Sequence, residues 1–124
     1  MTARTLSLTA LAAIVLLHAV WWTLLAAPSR VPAMVPVLLA CVPAVPAAIA
    51  TLRGSRLAPI WAGCASLLYF CHGVAELFAA PASTLQAALE VGLALLCIGA
   101  AGWPGLRMKL SRATASLTSP PTDR

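Results

Sequence analysis

Charge is what this chain most conspicuously lacks. Charged residues make up 9% of its 124 residues, and only three are acidic: Glu76, Glu90 and Asp123. A soluble domain carries about 25% charged residues, so the chain lacks the polar surface needed to stay in water. It also lacks the short motifs that carry chemistry. There is no Walker loop, dinucleotide glycine motif, nucleophile elbow or HExxH zinc helix, so no catalytic residue is assigned and nothing positive points to an enzyme. Cys41, Cys64, Cys71 and Cys97 stand singly in apolar runs without CxxC or Cys/His ligand spacing. They are expected to be buried thiols acting as small hydrophobes rather than a disulfide framework. The net charge of +5 does not form a patch, because the basic residues sit singly or in short clusters between apolar runs. That excludes nucleic acid as the expected partner. At this length the chain is one domain, with no room for a soluble domain beside the membrane part.

What is present is hydrocarbon: 61% hydrophobic residues and a mean hydropathy of +0.94. A spanning helix needs about 20 mostly apolar residues. Four segments qualify, at 6–27, 32–51, 57–79 and 85–103, the last closed by Pro104–Gly105. The short connections between them force antiparallel neighbours, so the expected fold is an all-α, up-down-up-down membrane bundle. The first apolar run is about 22 residues, too long for a signal-peptide core. No convincing small-x-small cleavage site follows it, and Trp21–Trp22 read as an interfacial anchor. Residues 105–124 are rich in Ser, Thr, Pro and charge and are expected to form a flexible basic tail.

Basic residues in short loops set orientation. One side would hold Arg4, Arg53, Arg56, Arg107, Lys109, Arg112 and Arg124, the other only Arg30. Both termini are therefore expected in the cytoplasm, with Arg53, Arg56, Arg107, Lys109 and Arg112 marking topology and touching lipid head groups. The second span contains Pro32, Pro36, Pro43 and Pro46. The last two lie in its interior, so a kink is expected there, with freed carbonyls satisfied by neighbouring helices or water.

The spans also hold ionisable side chains: His18, His72, Glu76 and Glu90. Measured from the span ends, all four fall in the same half of the bilayer and are candidates for one polar cluster with Tyr69. Ala62, Ser66, Tyr69, Gly73 and Glu76 recur at spacings of three and four and share a helix face, with His72 beside them. Gln86, Glu90, Ala94, Cys97 and Ala101 form a matching stripe on the fourth span, and the two faces are expected to meet inside the bundle. Glu76, four residues after His72, is its natural local partner, Glu90 is the expected cross-helix partner, and an interfacial pair between Arg30 and Glu76 is a further expectation. A metal site needs three converging ligands. The sequence offers a lone histidine on each of two helices, so no metal and no cofactor are assigned. The "GAAG" at Gly99–Gly102 reads as helix packing.

The pattern "LRGSR", a tryptophan, then "LLYFCHGVAE" and an "ALE" helix resembles the small bacterial membrane-protein family known as domain of unknown function 2069. The matching positions are Arg53, Gly54, Arg56, Trp61, Tyr69, Phe70, His72, Gly73, Val74, Glu76 and Glu90. The family pattern has an aromatic soon after the basic loop; here Leu57-Ala58-Pro59 stand instead, so no role of that aromatic is carried over. The resemblance implies a multi-pass protein of the bacterial inner membrane and supplies no activity or substrate. The leading expectation is an accessory component without catalysis of its own, in contact with the lipid bilayer and with another membrane protein or a second copy of itself. A second is a proton- or quinone-handling component working through the His/Glu cluster. A third, a compact four-helix exporter, fits poorly. Such exporters carry an essential acid in the first helix and a weak charge bias, and this chain has neither.

Overall fold

The computed structural model describes residues 2–25, 32, 34–79 and 83–118, with side chains as far as 114. Helix α1 (Ala3–Val20) begins at Thr2, whose hydroxyl accepts the Thr5 amide at 3.2 Å and supplies the N-cap that the apolar run itself could not. It passes directly into a π-helical turn at Trp21–Leu25. Helix α2 (Met34–Cys41) gives way to a 3₁₀ turn at Val42–Ala44, followed by α3 (Val45–Leu52). Pro43 and Pro46 carry no amide hydrogen, and the helix re-forms around them rather than ending, as the sequence led one to expect. Helix α4 covers Ala58–Ala79 and α5 covers Thr84–Thr118.

Four stretches are long and apolar enough to cross a membrane: Ala3–Leu25, Met34–Leu52, Ala58–Ala79 and Thr84–Thr114. The fold is thus the expected all-helical bundle with four candidate spans. One boundary differs. The fourth helix does not stop at Trp103 but runs through Pro104 to Thr118, so residues 105–118, expected as a flexible tail, are helical. A proline deletes one backbone bond and crowds one carbonyl. Here the flanking Gly102 and Gly105 add no bulk, and Leu106, Arg107, Met108, Lys109 and Leu110 are all good helix formers.

The turn between α3 and α4 explains the "RGS" of the basic loop. Gly54 adopts φ +64, its amide reaches Thr51 O at 3.0 Å, and the Ser55 amide reaches Ala50 O at 2.8 Å. This paired closure is a Schellman cap, which needs a left-handed residue at the glycine position. Ser55 Oγ then accepts the Leu57 amide at 3.1 Å and starts the next helix.

Helix α5 packs along both α1 and α4, while α3 leans on α4. The core is made of small side chains. Ala10, Ala47, Ala62, Ala65, Ala94 and Cys97 are buried around Leu11, Ile14 and Tyr69. The two predicted stripes do meet: Ala62, Ser66, Tyr69 and Gly73 of α4 and Gln86, Glu90, Ala94 and Cys97 of α5 are buried, with Ala101 half-buried. Leu67 and Leu68 point outward. The "GAAG" stretch packs through its alanines. Ala101 lies opposite Gly63, whereas a Cβ built on Gly99 or Gly102 would meet nothing. All four cysteines are free thiols, but only Cys97 is buried, donating to Ser7 O across the α1–α5 contact at 3.1 Å. Cys64 and Cys71 face outward and Cys41 is half-buried, because helix period rather than hydrophobicity decides which positions of a lipid-immersed helix turn inward.

Candidate functional site

Three helices deliver the ionisable groups to one level. His18 lies seven residues before the end of the first span at Leu25, His72 seven before Ala79, and Glu90 six after Thr84. At 1.5 Å per residue each lies roughly 10 Å inside the same end of the bundle. Gly73 brings α4 and α5 together there. A Cβ at Gly73 would stand 2.9 Å from Val91 Cγ2, 3.2 Å from Ala87 O and 3.4 Å from Glu90 Cβ, so only glycine lets α4 press against the turn of α5 that carries Glu90.

Glu90 is fully buried, with 0% of its side chain exposed. Burying a carboxylate in hydrocarbon is costly unless it is compensated. Among the described residues no Lys or Arg pairs with it. Its partners are the two histidines: His72 Nδ1 lies 3.2 Å from both carboxylate oxygens, and His18 Nε2 lies 3.5 Å from Oε1. His18 is held from behind, its Nδ1 lying 3.0 Å from Ile14 O. A carbonyl can only accept, so Nδ1 carries a hydrogen and a neutral ring turns the Nε2 lone pair toward Glu90. Two lone pairs at 3.5 Å repel each other. A proton on either partner relieves that repulsion, and so would a metal ion.

Tyr69 stacks beside the cluster, its ring 5.7 Å from that of His18, as is the ring of His72. Its phenol does not join the carboxylate. It donates to Ala40 O, near the end of α2 just before the 3₁₀ turn. Glu76 also stands apart. It is half-buried one turn nearer the bundle end and accepts from Ser83 Oγ at 3.1 Å. Of the two carboxylates expected near His72, the cross-helix partner Glu90 takes the histidine and the local Glu76 does not, because the Gly73 contact brings the α5 carboxylate against it. The Arg30–Glu76 pair lies outside the described residues, since Arg30 is not among them.

The cluster is closed on one side and open on the other. His72 has 47% of its side chain exposed, and His18, Tyr69 and His72 line a cavity of about 220 Å³ with Trp22, Pro36 and Leu39. Glu90 does not line it, and two of the lining residues, Leu39 and Leu68, are well exposed. Trp22, read from sequence as an interfacial anchor, thus serves as a wall of the cavity. Neither the cavity nor that role could be read from spacing, because both depend on how α2 crosses α1 and α4.

These features define a class: a small polytopic membrane protein with a His–Glu–His cluster beside a cavity. Residues 6–103 match the family described as "Predicted membrane protein (DUF2069)", and the chain belongs to that family. No match was found among curated proteins or solved structures.

Proposed function

We propose that the protein binds the ring head group of a lipid-soluble carrier of the quinone class in this cavity and exchanges protons with it through His72 and Glu90. The observation that carries the reading is the position of His72, half-exposed in the cavity wall yet bonded to both oxygens of a fully buried carboxylate. It is a direct hydrogen-bonded link between a hydrophobic pocket and a proton store. Size supports the class. At about 220 Å³ the cavity is below the roughly 300–1,000 Å³ of ordinary small-molecule sites, enough for a single ring while an isoprenoid tail stays in the bilayer. His18 orients Glu90 from the far side, and Tyr69 holds α2 in place as the opposite wall. The protein would act as an accessory component to a partner membrane enzyme, because no catalytic residue is assigned to the chain itself.

We place it in the bacterial inner membrane with both termini cytoplasmic. In support, Arg4, Arg53, Arg56, Arg107, Lys109 and Arg112 lie near the α1 start, in the α3–α4 turn and in the α5 extension, all on the side of the bundle away from the cluster. The test is titration of a short-tailed quinone into the protein in nanodiscs, followed by tryptophan emission. Saturable quenching is expected, mostly lost in Trp22→Phe. His72→Ala should weaken binding at least about tenfold, since a hydrogen bond to a charged group is worth roughly 1.5–3 kcal/mol. Non-saturable quenching, or equal affinity in a folded His72→Ala protein, would refute the reading.

A further inference from the structure

The sequence assigned no metal, on the ground that a lone histidine on each of two helices makes too few ligands. The fold supplies the missing ligand from a third helix. His18, His72 and Glu90 each offer one donor atom, and the three atoms lie within 4.8 Å of one another. The two histidine-to-carboxylate separations, 3.2 and 3.5 Å, bracket the roughly 3.3 Å between ligands of a four-coordinate ion with bonds of about 2.0–2.1 Å. His18 also has what a metal-bound histidine almost always has: its other ring nitrogen donates to a backbone carbonyl, here Ile14 O, fixing the tautomer that presents Nε2. The repulsion between the Nε2 lone pair and the carboxylate oxygen facing it is relieved by a proton on either partner or by an ion bound to both.

We infer that His18 Nε2, His72 Nδ1 and a Glu90 carboxylate oxygen form a binding site for one divalent first-row transition ion of the zinc or ferrous class, with its open coordination position facing the cavity. The donor set excludes the hard cations as natural occupants, since calcium and magnesium take all-oxygen shells. Two imidazoles with one carboxylate is a set that zinc and ferrous ions share. Three protein ligands leave a position free. Both histidines line the cavity while Glu90 does not, so a fourth ligand would enter from the cavity side. The inference goes beyond the head-group reading and does not depend on it. The ion and the shared proton compete for the same lone pairs, so Zn²⁺ is expected to oppose proton exchange at this cluster.

The experiment uses tag-free, chelator-stripped protein in nanodiscs, titrated with Zn²⁺ by calorimetry and with Co²⁺ by visible absorption. One ion per chain is expected, with cobalt bands of a nitrogen/oxygen site of low coordination number. His18→Ala, His72→Ala and Glu90→Gln should each reduce affinity at least about 100-fold, the top of the range for loss of an outer-shell partner alone. Glu76→Gln and Cys71→Ser should bind as the unaltered protein does. Absence of stoichiometric binding by the unaltered protein overturns the site, whatever becomes of the variants. So does a strong thiolate-to-cobalt absorption, or undiminished binding in any of the three ligand variants that retains its helical circular dichroism. Quinone titration of the same stripped sample reads the head-group site separately, so one result can fail while the other stands.

Discussion

At the scale of single residues, the chemistry turns on which atoms already have partners. His18 spends one nitrogen on Ile14 O and is left with the other facing Glu90. Tyr69 spends its hydroxyl on Ala40 O, which makes it a brace for α2 rather than a proton donor to the cluster. Tyr69→Phe is therefore expected to cost about 1 kcal/mol of stability, the net worth of one such bond, and to loosen the cavity wall. Unfolding by denaturant in detergent measures the first effect, and weaker quinone quenching with unchanged metal affinity the second. Sequence reasoning placed Tyr69 and Glu90 on inward faces correctly, with His72 at the edge of the stripe. It could not see that the phenol would be drawn to a carbonyl of a helix some thirty residues earlier, because that pairing requires the proline-interrupted turn of α2 to lie against α4.

At the scale of elements, close approach decides the site. At Gly73 α4 and α5 approach closely, and two of the atoms a methyl group would meet are a side-chain methyl at 2.9 Å and a backbone oxygen at 3.2 Å. The oxygen belongs to a regular helix and cannot swing aside. Gly73→Ala is expected to destabilise the bundle by about 1–3 kcal/mol and to move Glu90 away from His72. Gly92→Ala, where a Cβ meets nothing, should stabilise the helix by about 0.4–1 kcal/mol. Comparing the two in one unfolding assay separates packing from helix propensity. The glycine was legible as a packing residue, since it lies on the same stripe as Ser66 and Tyr69. Pro104 was misleading in the opposite way. The preference against helix before and at proline is statistical, and α5 loses one hydrogen bond there while continuing for fourteen residues to Thr118.

At the scale of the whole molecule, an uneven charge distribution and an uneven polarity run in opposite senses along the bundle. Among the described residues, arginine and lysine gather at one end, and the His–Glu–His cluster lies near the other. The proposed orientation makes a direct prediction for reporter fusions. Alkaline phosphatase joined after Ser83, in the α4–α5 connection, should be active, and the same reporter in the Arg53–Arg56 turn should be inactive. A fluorescent protein at the C-terminus should light up. The reverse pattern would put the cluster toward the cytoplasm and change the compartment with which it exchanges protons, without altering its geometry.

The sequence by itself determined the number of spans, the inward faces of the third and fourth, and the level at which the ionisable residues lie. These follow from hydropathy, the helical period and the rise per residue, all of which are local. Only the tertiary structure decided which carboxylate His72 takes. Glu76 is four residues away on its own helix and Glu90 eighteen residues away on the next, yet Glu90 is the partner, because the missing side chain at Gly73 lets α5 bring its carboxylate against the histidine. The same approach of helices placed His18 on the other side of that carboxylate. Two isolated histidines and an acid thereby became one cluster, which is the arrangement on which both the head-group and the metal proposals rest.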